Sequence, residues 1–78
     1  MGLSELKVGQ VGFVDCIQAH HSNKGLVNRL EAMGILPNRP IQVLRVAGFG
    51  GPLHIRIGTT TEVAIRRQEA ELIRVKLC

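Results

Sequence analysis

Neither tryptophan nor tyrosine occurs in these 78 residues, and Phe13 and Phe49 are the only aromatics. Proteins that grip unpaired bases stack them on aromatic rings, so general single-strand binding has almost nothing to work with. Cysteine is nearly as scarce. Cys16 lies in an apolar segment and Cys78 at the end, too few for the disulfide framework that small secreted domains use to stay folded. With no Cys-x-x-Cys, they read as buried or idle thiols. A Cys16 to Cys78 bridge or metal ligation is the alternative. Long apolar runs are missing too: the longest charge-free stretch, Val46 to Ile55, is interrupted by Gly48, Gly50, Gly51 and Pro52. That is far short of the roughly 20 apolar residues of a spanning helix. The opening Met1 to Leu6 has no basic segment followed by an apolar run, and Leu6 stands where a myristoylation signal wants Ser or Thr. The expectation is a cytoplasmic protein.

Catalytic signatures are equally sparse. A phosphate-cradling P-loop needs Gly-Lys followed by Ser or Thr, whereas the three lysines precede Val8, Gly25 and Leu77. The one glycine cluster, Gly48 to Pro52, joins two strand-like segments and reads as a tight hairpin. Ser4 and Ser22 both stand where helices begin, so capping explains them without a nucleophile's role. No catalytic residue is assigned and no enzyme is expected.

What is present suits one small folded domain spanning 1–78. Apolar residues make up 45% of the chain, enough for a core and too many for disorder. Ten Lys and Arg against six Asp and Glu give +4, a sign that suits an acidic protein, nucleic acid or an inner membrane face.

Hydrophobic periodicity supplies the elements. Leu3 to Val8 fits a single helical turn capped by Ser4. Val11 to Ala19 alternates as a strand with Val11, Phe13, Ile17 and Ala19 on its buried face, a phase that also turns Asp15 inward. From Ser22, Leu26, Val27, Leu30 and Met33 recur at spacings of three and four, opposite Lys24, Asn28, Arg29 and Glu31, which predicts an amphipathic helix. Gly34 sits where a left-handed residue ends a helix, and Ile35 can pack back on Leu30 as in a Schellman cap. Pro37 and Asn38 suit the centre of a turn. Ile41 to Ala47 carries Ile41 and Val43 in one phase and Leu44 and Val46 in the other, the shift of a β-bulge. Leu53, Ile55 and Ile57 form a third strand, Val63 and Ile65 a fourth, and Ile73, Val75 and Leu77 a fifth. One helical or 3₁₀ turn at Gln68 to Glu71 precedes the last.

Five short, bent strands with one apolar side must close on themselves in so short a chain. The expected fold is mainly β: a small SH3-like, partly open five-stranded barrel with one α-helix after the first strand and short helical turns. An OB-fold barrel normally places its helix between strands three and four. Arg56, Arg66, Arg67 and Arg74, with Lys76, fall on outward strand positions, either as a solvated face with Glu62, Glu69 and Glu71 or as a docking surface. Cys16, His20, His21 and His54 lack a ligand-spacing pattern, so no monomeric metal site and no cofactor are expected. An intersubunit site holding Cys16, His20 and His21 is the form of the metal idea that the spacing least opposes.

Several segments together resemble one family. Leu3-Ser4-Glu5-Leu6-Lys7-Val8-Gly9-Gln10, Arg29-Leu30-Glu31-Ala32-Met33-Gly34-Ile35-Leu36-Pro37, Gly51-Pro52-Leu53-His54-Ile55-Arg56-Ile57 and Val63-Ala64-Ile65-Arg66-Arg67-Gln68-Glu69-Ala70-Glu71-Leu72-Ile73-Arg74-Val75 look like the ferrous-iron transport protein A (FeoA) family. Asn38 stands where that family usually has glycine and still suits a positive φ. The resemblance implies a cytoplasmic SH3-like accessory of bacterial ferrous-iron uptake that binds the cytoplasmic part of FeoB, a membrane permease with a GTP-binding domain. The alternative is a stand-alone regulatory module related to the C-terminal domain of metal-dependent transcriptional repressors. The expected partner surface is Asn28 and Arg29 on the helix with Arg56, Arg66 and Arg74 on the strands; Leu30, Gly34, Ile35 and Pro37 are expected to be structural. A homo-oligomer is open, and nucleic acid is not an expected partner.

Overall fold

The structure, a computed structural model, describes residues 1–18 and 24–77. A 3₁₀ turn over Leu3–Glu5 leads into β1 (Val11–Ile17), α1 (Lys24–Ala32), β2 (Pro40–Val46), β3 (Leu53–Ile57), β4 (Thr61–Ile65), α2 (Arg67–Leu72) and β5 (Ile73–Lys76). The strands form one antiparallel sheet in the order β4-β3-β2-β1-β5. Three consecutive strands make a meander, and the last strand returns to the free side of the first. The five strands with one helix after β1 are the SH3-like architecture read from the sequence.

Alternation decides which side chains enter the core. Ile41, Val43, Leu53, Ile55 and Ile57 face inward from β2 and β3, with Ile65 from β4 and Ile73 and Val75 from β5, all essentially buried. Burying a side chain of this size is worth about 1.5–3 kcal/mol, so these rows dominate folding. Leu3 and Leu6 plug one end, and Leu30, fully buried, ties α1 to the sheet. The phase change in β2 is a bulge: Val43 pairs with Ile55 and Arg45 with His54, leaving Leu44 unmatched.

Strand β1 departs from its sequence reading. Its inward residues are Gly12 and Val14, while Val11 is exposed and Phe13 only half-buried. A Cβ on Gly12 would come within 3.3 Å of the Lys76 carbonyl oxygen, so glycine lets β5 approach closely. A bulge between Val14 and Cys16 then resets the phase and brings Ile17 against the core. Asp15 and Cys16 are exposed as a result, contrary to the inward aspartate and the buried thiol expected. The strand ends at Ile17; Ala19, and the Ser22 cap of α1, lie outside the described residues, as does Cys78.

Local signals elsewhere behave as read. Gly34 has φ +98°, its N–H donates to the Glu31 carbonyl, and the Ile35 N–H donates to the Leu30 carbonyl, both near 3 Å; these are the two bonds of a Schellman cap. Asn38 has φ +70°, and the Arg39 N–H closes the turn onto the Leu36 carbonyl at 3.2 Å, with Pro37 fixing the preceding angle. The first turn differs in detail: Ser4 does not cap it, and the Gly2 N–H instead donates to the Glu5 carboxylate at 3.2 Å.

Candidate functional site

Side chains of α1 and α2 meet beside the end of β4. Arg66 is the last extended residue before α2, and its backbone N–H donates to Glu69 Oε1 at 2.8 Å. A carboxylate three residues into a helix reaches back to satisfy an orphan N–H of this kind. The other Glu69 oxygen forms an ion pair with the Arg29 guanidinium from the exposed side of α1. Glu69 is buried, at 7% exposure, whereas the Arg29 side chain keeps 59% of its surface in solvent. One carboxylate thus caps α2 and holds α1 against it. Glu69 was read as a solvated acid, and the missed signal is its position, three residues after Arg66, the extended residue from which α2 starts.

Around this pair the surface is concave. A groove of about 430 Å³ runs between α1 and the end of β4. Met33, Pro52 and Ile65 supply apolar lining, and Arg29, Arg66 and Glu69 the polar rim. A second hollow of about 450 Å³ continues over Gly25, Leu26 and Gln68 and shares those three rim residues. Arginine at such a rim combines apolar contact with bidentate pairing to carboxylates.

The five residues expected to bind a partner do not form one face. Arg29 and Arg66 converge on the groove, and Asn28 is exposed beside Arg29 on α1. Arg56 lies on the outer surface of β3, where its Nη2 donates to Glu62 Oε2 at 3.1 Å. His54 Nε2 is 3.4 Å from the other Glu62 oxygen. The Arg56 hydrogen bond, helped by the charges of Arg56, His54 and Arg45, holds the Glu62 carboxyl below the usual carboxylate range. Arg74 is on β5, at the opposite end of the strand order, bridged through its backbone to Gly2. Arg67, read as a strand residue, is the first residue of α2, and its Nε is buried without a hydrogen-bond partner among the described residues.

Among the described residues no three His, Cys, Asp or Glu gather as metal ligands. His20 and His21 lie outside those residues, so the intersubunit arrangement with Cys16 is not placed. Among the described residues no helix is long and apolar enough to cross a membrane.

A family model described as the FeoA domain matches residues 1–77. No curated protein matches the sequence significantly. Among solved structures, FeoA from Chlorobium tepidum superposes with a TM-score of 0.86 at 32% identity, covering 99% of this chain and 70% of that one. FeoA from Stenotrophomonas maltophilia in complex with zinc, described as a procaryotic SH3 domain protein, superposes at 0.84 with 28% identity over 97% of this chain and 89% of that one. A manganese-dependent transcriptional repressor shares the fold at a TM-score of 0.85, with 20% identity, 100% of this chain and 41% of that one covered.

Proposed function

The chain belongs to the FeoA family, and on that premise we propose that it is a cytoplasmic accessory of bacterial ferrous-iron uptake. It acts by binding, with no catalysis of its own, and its partner is the cytoplasmic part of a FeoB-like membrane GTPase permease. The observation that carries the docking site is the convergence of Arg29 and Arg66 on one apolar groove. Such a rim suits an acidic, partly apolar partner surface, and a net charge of +4 favours the same sign of partner. Asn28 extends the rim along α1. Arg56, on the outer surface of β3, and Arg74, on β5 beside Gly2, line neither hollow and contribute through the long-range field.

Co-purification with the soluble GTP-binding part of a FeoB-like permease tests this reading. Arg66→Glu should weaken capture by on the order of tenfold or more while leaving the melting transition in place, because the Arg66 side chain is exposed and only its backbone caps α2. Capture unchanged by that variant would remove the groove from the interface, and no capture of the unaltered chain would remove the partner.

A further inference from the structure

The two edges of the sheet are treated differently. On β5 the outer edge is occupied: Gly2 bridges to Arg74, and the Val75 N–H donates to the Met1 carbonyl at 2.7 Å. On β4 every pairing goes to β3, and among the described residues no backbone hydrogen bond reaches the other side. Alternate residues of an antiparallel edge strand turn N–H and C=O outward, which is a template for another strand. Five residues at about 3.4 Å each give an edge about 17 Å long, and no proline or lysine blunts it.

The Ala64–Ile65 end of that edge borders two hollows. The groove beside α1 and a smaller dish of about 240 Å³ share Pro52 and Ala64. The groove is lined by Met33 and Ile65, whereas the dish lies over β2 and β3, lined by Val46 and His54 with Arg45 at its rim. A strand added to β4 would send successive side chains to opposite faces, one set toward the groove at its Ile65 end. Resting on the reading of this region as the docking surface, we infer that β4 binds an extended segment of the partner by strand addition. Apolar side chains on one face enter the groove beside Met33 and Ile65, and acidic ones on the other meet the exposed Arg66. Main-chain hydrogen bonds supply affinity in this mode and the alternating pockets supply selectivity. Glu69 and Glu62 are matched by Arg29 and Arg56, which leaves Arg66 as the cation beside the edge with no ion pair among the described residues and selects an acidic segment.

Amide hydrogen exchange read residue by residue on the full chain tests the inference. The probe is a blocked hexapeptide of alternating Glu and Val; the control is the same peptide with a central Val replaced by Pro, which cannot continue a ladder. At saturation the probe should slow outward amides within Thr61–Ile65 by about tenfold or more, leave β5 unchanged, and the control should do neither. Absence of slowing at millimolar probe, or changes confined to α1, would overturn it. So would slowing without peptide that grows with protein concentration, because a second copy would then be the occupant. Repeating the exchange with the permease's GTP-binding part separates the two readings: capture without protection of β4 removes strand addition and leaves the partner, and protection by the peptide without capture does the reverse.

Discussion

The Glu69 carboxylate on α2 is shared between the Arg29 guanidinium on α1 and the Arg66 backbone N–H, so the rim of the docking groove and the brace of the fold are one contact. Glu69→Ala removes the cap and leaves that N–H unpaired. It should cost about 1–2 kcal/mol in urea unfolding. Glu69→Gln retains an acceptor oxygen and should cost no more than about half as much. Equal losses would show that the cap contributes nothing.

Gly34→Val should be far more damaging than Gly50→Val. Both glycines have positive φ, but +98° at Gly34 lies well beyond the left-handed basin near +57° that other residues tolerate, while +71° at Gly50 lies close to it. Forcing a β-branched residue there threatens both cap bonds and the anchoring of Ile35, a loss of about 2 kcal/mol or more. Thermal melts of the two variants decide the order.

Within the same hairpin, Gly51 is the sterically demanding position. A Cβ there would lie 2.8 Å from the Ala47 Cβ and 3.2 Å from the Gly48 carbonyl oxygen. Gly51→Ala should therefore destabilise by about 1 kcal/mol or more, although its backbone angles need no glycine. A melt unchanged from the parent chain would show that the loop relaxes freely.

Phe49, by contrast, should be replaceable with profit. Its ring is fully exposed and its φ is +59°, so the side chain contributes no burial while the backbone bears a left-handed strain. Phe49→Asn should raise stability by about 0.5–1 kcal/mol, since asparagine tolerates that conformation. A drop in stability would reveal packing that the exposed ring does not show.

Glu62 gives a prediction in pH. Its folded carboxyl is held below the ordinary value of about 4.3, so its pairing stabilises fully above that value and is lost as pH falls through the lower folded midpoint. Carboxyl-carbon NMR titration should show the depressed midpoint. Arg56→Gln should return it toward the ordinary value, and added salt should shrink the shift because the pair is exposed. A midpoint indifferent to Arg56→Gln would assign the shift to other charges.

Much of this protein was determined by residues acting on their immediate neighbours. Gly34 with Ile35, Pro37 with Asn38, and the phase break at Leu44 specify a cap, a turn and a bulge from chemistry within a few residues, and the structure contains all three. Strand number, helix position and family resemblance follow from the same short-range patterns. Tertiary structure alone decided the rest. The inward phase of β1 depends on how closely β5 approaches Gly12, a contact 64 residues away. Whether Glu69 is solvated or buried depends on what the fold sets against it, here Arg29 from α1. The arginines look equivalent along the chain, yet strand order places Arg66 beside Arg29 and puts Arg74 at the far end of the sheet. Periodicity records which side of an element is apolar; which side chains meet across elements is fixed only when the sheet closes around its core, because that register belongs to the packing of distant segments and not to any one of them.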